Sequence, residues 1–120
     1  MKVKFFCPRW GSESLPFSVF IKSALEDGYD GVEISLPDSK DLKEEYLSVL
    51  SESGVPFILQ HWQTDKRDVN EYISEYTSRM EILADAKPLF INSQTGKDFF
   101  SFDENCRIIE KASEIEAKSG

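Results

Sequence analysis

Five side chains stand where chemistry can be done, each within or just past a short apolar run: Trp10, Glu33, His61, Asn92 and Gln94. A carboxylate, an imidazole and two carboxamides can exchange hydrogen bonds with the hydroxyls of a carbohydrate, and an indole offers a flat surface to its C–H faces. Glu33 is the most informative of the five, because Val32 and Ile34 flank it. A carboxylate so placed must face a polar interior or bear a desolvation cost, so it serves either substrate or a structural bond to Arg9 or a neighbouring strand. His61 is the only histidine, and a single imidazole cannot make a zinc site. Gln60 competes with it for the inward position, since adjacent residues of a strand point to opposite faces. Lys97 and Asp98 read as a solvated charged turn or a phosphate contact, and Cys7 reads as a small buried hydrophobe.

The elements that must position these residues follow from apolar spacing. Lys2 to Cys7 reads as a strand closed by Pro8, and Tyr29 to Pro37 alternates, with Val32, Ile34 and Leu36 on one face and Glu33 and Ser35 on the other. Val55 to Trp62 and Pro88 to Asn92 are two further strands, apolar almost throughout, as strands of a covered parallel sheet are. Between them lie helical stripes. Phe17, Phe20, Ile21, Ala24 and Leu25 follow Pro16; Leu42, Tyr46, Leu47 and Leu50 follow an Asp41 cap and end at Gly54. Val69, Tyr72, Ile73, Tyr76, Met80 and Leu83 follow Asp68, and Cys106, Ile108, Ile109, Ala112 and Ile115 follow Ser101 or Asp103.

The resulting βαβαβαβα order predicts an α/β fold with parallel strands and helices outside them, over residues 1–120 as a single domain. Its polar side chains collect at the C-terminal ends of the strands, the edge at which parallel α/β folds work. The first strand–helix turn, Cys7-Pro8-Arg9-Trp10-Gly11, has neither the glycine spacing of a phosphate-cradling loop nor the acids of a receiver domain. A net charge of −8 argues against nucleic acid, and no apolar run approaches the ~20 residues of a membrane span. With no secretion signal and no paired cysteine spacing, a reducing cytoplasm is the expected compartment.

Two segments carry a family likeness. Asp30-Gly31-Val32-Glu33-Ile34 resembles the strand-two signature G-[FY]-D-G-[VI]-E of xylose-isomerase-like TIM barrels. Asn92-Ser93-Gln94-Thr95-Gly96-Lys97-Asp98 resembles the strand-four segment N-S-H-T-G-[KR]-D of sugar phosphate isomerases and epimerases. The resemblance implies a (βα)4 N-terminal half of a (β/α)8 barrel and a metal-dependent sugar or sugar phosphate isomerase or epimerase, working by proton transfer through an enediolate. Trp10, Glu33, His61, Asn92 and Gln94 would then contact the substrate. In that family the divalent metal and the acid–base residues come from the later strands, beyond Gly120, so no catalytic or metal-binding residue is assigned here. Gln94 replaces a histidine that is a zinc ligand in related apurinic endonucleases, which counts against a zinc phosphodiesterase.

A complete barrel of this type takes about 250 residues. The expectation is therefore that the isolated chain is inactive, binds no metal tightly, and presents open half-barrel edges through which it forms a homodimer. A small non-catalytic α/β module that binds a ligand or dimerises, and a hydrolase or lyase on the same barrel, are the alternative expectations.

Overall fold

Strand and helix patterns that alternate in sequence become elements that alternate along the chain. The computed structural model describes all 120 residues as β1 (Phe6–Pro8), α1 (Phe17–Glu26), β2 (Gly31–Ser35), α2 (Lys40–Ser53), β3 (Phe57–His61), α3 (Val69–Asp85), β4 (Phe90–Ser93) and α4 (Phe102–Ser119). The strands form one parallel sheet in the order β1-β2-β3-β4. The chain gathers into two compact units, one of Met1–Gln60 with Pro88–Asn92 and one of His61–Lys87 with Ser93–Gly120. No helix is long and apolar enough to cross a membrane.

In the first unit, register decides which side chains meet. Cys7 lies beside Val32 and Pro8 beside Glu33, while Glu33 lies beside Ile58, Ile34 beside Leu59 and Ser35 beside Gln60. The two-residue period of a strand then sorts one face from the other. Val32, Ile34 and Leu59 share the fully buried face, and Phe17, Phe20, Ile21 and Ala24 are the buried residues of α1, which packs on β2. Phe6, Pro8, Glu33, Ser35, Ile58 and Gln60 share the opposite face, and none of them is buried. Phe90 of β4 is 69% exposed.

β1 is shorter than its apolar run suggests. Phe5 N–H donates to Asp30 Oδ2 and Asp30 N–H to Phe5 O, both at 2.8 Å, so a side chain starts the pairing where a ladder was expected. Ser39, not Asp41, occupies the N-cap position of α2, and Asp41 falls in the first turn, where its charge faces the positive end of the helix dipole. Leu42 is exposed for the same reason of phase, and Leu50 is the buried residue of this helix, which ends at Gly54 in the left-handed region.

Arg9 anchors the connection between β1 and α1. Its Nη2 donates to Leu15 O at 2.7 Å, and the guanidinium sits 4.9 Å from the Phe20 ring centroid and 5.5 Å from that of Phe17. Phe17 in turn stacks on Tyr46 of α2. Nη1 is buried without a hydrogen-bond partner, and the faces of these rings supply the negative charge that it meets instead. An ion pair between Arg9 and Glu33 is thus not formed.

The second unit is built on α3 and α4. Asp68 caps α3, its Oδ1 accepting from Asn70 N–H at 2.9 Å and Glu71 N–H at 3.0 Å. Ser101 caps α4 with a reciprocal bond from its own N–H to Glu104, which resolves the choice between Ser101 and Asp103. Tyr72, Tyr76, Met80 and Leu83 of α3 and Ile108 and Ile115 of α4 are buried, whereas Ile109, expected on the same stripe, is 59% exposed.

A β-carbon added at Gly31 would lie 2.3 Å from Pro56 O and 2.4 Å from Phe6 Cε1. Backbone on one side cannot yield, so Gly31→Ala should destabilise the fold by about 1–3 kcal/mol in urea unfolding. An unchanged midpoint would mean that β1 and β2 are free to separate there.

Candidate functional site

On the face of the first unit opposite Val32, Ile34 and Leu59, side chains from two strands converge on one oxygen of Glu33. Gln60 Nε2 of β3 and Asn92 Nδ2 of β4 each donate to Glu33 Oε1 of β2 at 3.0 Å. Ser35 Oγ donates at 3.4 Å to the carbonyl Oε1 of Gln60, which extends the network along the same face. The cause is the register: Ile34 beside Leu59 buries both and turns Glu33 and Gln60 together to the other side. Hydrogen bonds to an ionised acceptor are stronger than neutral ones, and two of them on one oxygen fix the carboxylate in place. Oε2 takes neither bond, so the group keeps capacity to accept from a ligand hydroxyl.

His61 lies in the second unit and is only 1% exposed. Its Nδ1 is 3.0 Å from Ser93 Oγ and its Nε2 is 2.8 Å from the hydroxyl of Thr64, a residue that is itself fully buried. Thr95 Oγ1 donates to Ser93 Oγ at 3.0 Å and lies 3.1 Å from Tyr76 OH, whose ring the imidazole meets edge-on at 5.2 Å. Burial, with the positive charges of Arg79 and Lys97, lowers the His61 pKa to about 4, against a smaller opposing effect of Glu75. Ser93 and His61 have the spacing of a nucleophile and its base, but a base this weak draws little proton from a hydroxyl near neutral pH. Thr64, in the orienting position, carries no charge to stabilise an imidazolium.

The connection after β4 is tightly held. Asn105 Oδ1 accepts from Lys97 N–H at 3.1 Å, and Asn105 Nδ2 donates to Lys97 O at 3.0 Å and to Phe100 O at 3.2 Å. Gly96, at φ +85°, donates its N–H to Tyr72 OH, and a β-carbon there would come within 2.4 Å of Asn105 Oδ1. Lys97 faces Asp65 at 4.0 Å, and the Arg67 guanidinium lies 4.1 Å from the Phe99 ring centroid. Lys97 is therefore tied into its own unit by a carboxylate, like Glu75, which Lys66 and Arg79 both approach.

Of the five residues singled out in the sequence, Glu33 and Asn92 are joined directly. Trp10 is 73% exposed in the first unit. Gln94 is exposed past the end of β4, its N–H bonded to His61 O. His61 does not share the face of Glu33, and Gln60 takes the place beside it. Gln60, Ser35, Thr64, Ser93 and Thr95 belong to these networks without having been selected; the signal for Gln60 was the alternation that buries Leu59. Comparison of the chain with protein-family models, with curated proteins and with solved structures found no match.

The side chains around Glu33 do not form a donor set for a divalent metal ion. No three His, Cys, Asp or Glu side chains converge, and Glu33 is met by amide N–H donors rather than by other ligand oxygens.

His61 makes stability depend on pH with a defined sign. The unfolded chain holds its histidine proton near the ordinary imidazole value of 6.5 and the folded chain releases it at about 4, so the unfolded state binds more protons between those values. The contribution is complete above about 6.5, falls as pH drops, and is gone below about 4, a total of about 3 kcal/mol at ~1.4 kcal/mol per unit. Urea midpoints should fall across that window, and His61→Gln should flatten this part of the slope. Equal slopes in the two proteins would exclude His61 as the titrating group.

Proposed function

We propose that this chain supplies the substrate-contacting strands of a metal-dependent sugar or sugar phosphate isomerase or epimerase built on a (β/α)8 barrel. The Glu33 cluster carries the reading: a half-buried carboxylate on an uncovered face of a parallel sheet, fixed by carboxamides from the two following strands. Consecutive strand order supports a barrel segment, since a doubly wound sheet reverses its order at a switch point. The likeness of residues 30–34 and 92–98 to the strand-two and strand-four motifs of sugar isomerases adds to it.

Such a reaction removes a proton beside a carbonyl and returns it through an enediolate. A divalent metal would supply stabilisation of the developing negative charge, and by the family likeness it and the proton-transfer groups would come from strands other than these four. The residues here bind and orient. Glu33 accepts from sugar hydroxyls, Asn92 offers an amide donor and a carbonyl, and the Trp10 indole covers a C–H face. His61 is buried and bonded to Ser93 within the second unit, so it is given no contact with substrate. The exposed Phe90 favours a second reading, a non-catalytic module that binds its ligand or pairs with another copy of itself. A molecular mass by light scattering that doubles with concentration would support the pairing, and a constant monomer mass would remove it.

Side-chain amide resonances of Gln60 and Asn92 give a direct readout of the site. They should shift on titration with aldoses, ketoses or their phosphates, without turnover by the chain alone. Glu33→Gln should weaken that binding about tenfold or more, as loss of a charge-assisted bond does. Absence of any shift, or equal affinity in the variant, would defeat the assignment of the site.

A further inference from the structure

We propose that His61 is an acid-operated latch: the neutral imidazole, bridging Thr64 Oγ1 and Ser93 Oγ, ties the 62–68 connection to the last residue of β4, from which the 94–101 connection starts, and protonation of the ring loosens that tie. The case rests on proton counting in a closed cluster. A hydroxyl has one proton to give, and Thr95 spends its own on Ser93, so the Tyr76–Thr95 bond takes its proton from Tyr76. That leaves Ser93 and Thr64, one at each ring nitrogen. A neutral imidazole gives one proton and accepts one, so in either tautomer one of these hydroxyls donates to the ring and the other accepts from it. An imidazolium only donates. Both hydroxyls are then forced to accept, the proton that one of them gave to the ring loses its acceptor, and Thr64 has no access to water.

Charge acts in the same direction. Arg79 and Glu75 of α3 and Lys97 of the 94–101 connection are the charged groups that act on the ring, and Tyr76 and Tyr72 of α3 are the neighbouring phenols. Two of those three charges are positive. Glu75 is the one negative group, and it is already shared between Arg79 at 3.0 Å and Lys66 at 3.6 Å. From α4 the contribution is the neutral Asn105, which holds Lys97 in place, while Asp65 faces Lys97 from the other connection. Nothing in the cluster is placed to receive an added positive charge, which agrees with the low pKa of the ring.

The latch is local. Gln94 N–H is bonded to His61 O and Gly96 N–H to Tyr72 OH, next to the hydroxyl chain, whereas Lys97 N–H is held by Asn105 Oδ1 and Phe100 N–H by Lys97 O. Protonation should therefore free the segment at 93–96 and leave 97–101 clamped. Because the chain has one histidine, its ring nitrogens can be followed without ambiguity in a nitrogen-15 titration of the full chain. The ring should titrate near pH 4, and the amides of Gln94, Gly96 and Thr64 should shift with the same midpoint while those of Lys97 and of Phe17–Glu26 do not. Thr64→Val keeps the shape and removes one hydroxyl; in it the ring should still titrate, with residues 62–68 no longer following. A ring midpoint near 6.5, a titration that moves none of these amides, or global unfolding with the same midpoint would overturn the latch.

Discussion

A carboxylate in the middle of a sheet has few ways to remain there, and the arrangement of the first unit turns on how Glu33 does so. Its oxygen is bound by two amides, one from each of the next two strands, so the same contact that compensates its desolvation also joins β2, β3 and β4 across their open face. Apolar side chains hold the opposite face, where Val32, Ile34 and Leu59 are sealed from water. The strands are thus fastened twice, by dispersion and burial on one side and by charge-assisted hydrogen bonds on the other. Loss of the carboxylate would leave two amides with a missing acceptor, and addition of a ligand must compete with or build on bonds that already exist.

The second unit solves a related problem with no net charge at its centre. An imidazole, three hydroxyls and a phenol share protons in a closed set, and the surrounding cations discourage any extra proton. Arg9 offers a contrast in the first unit. Its charge is permanent, and aromatic faces rather than carboxylates receive it. Polar groups in the two units are accommodated by different chemistry.

Much of the fold was legible because period and punctuation agreed. Asp68, Ser101 and Gly54 mark helix ends in the sequence and do so in the structure, and the Val32–Ile34–Leu36 alternation buries those three residues as expected. Phase errors came where a stripe was weak. Asp41 and Ser39 both suit a cap, and nothing local separates them; Leu42 and Ile109 are apolar residues that the packing of their helices leaves outside. The candidate site was legible at Glu33 and Asn92 but not at His61 or Gln60, because the near-continuous apolar run of β3 hides which of its residues turns inward. That choice is made by the neighbouring strand, where Ile34 fixes Leu59 on its own side. The hydroxyl network around His61 joins residues up to 32 positions apart and leaves no trace in spacing.

Gly96 and Asn105 impose a joint condition on sequence variation. The glycine has a left-handed backbone, and the amide of Asn105 fills the space that any side chain at 96 would need. A side chain at 96 would therefore have to displace the amide at 105, and with it the three hydrogen bonds that shape the turn, besides adopting a backbone conformation that disfavours it. Wherever Asn105 is kept, Gly96 should be kept with it.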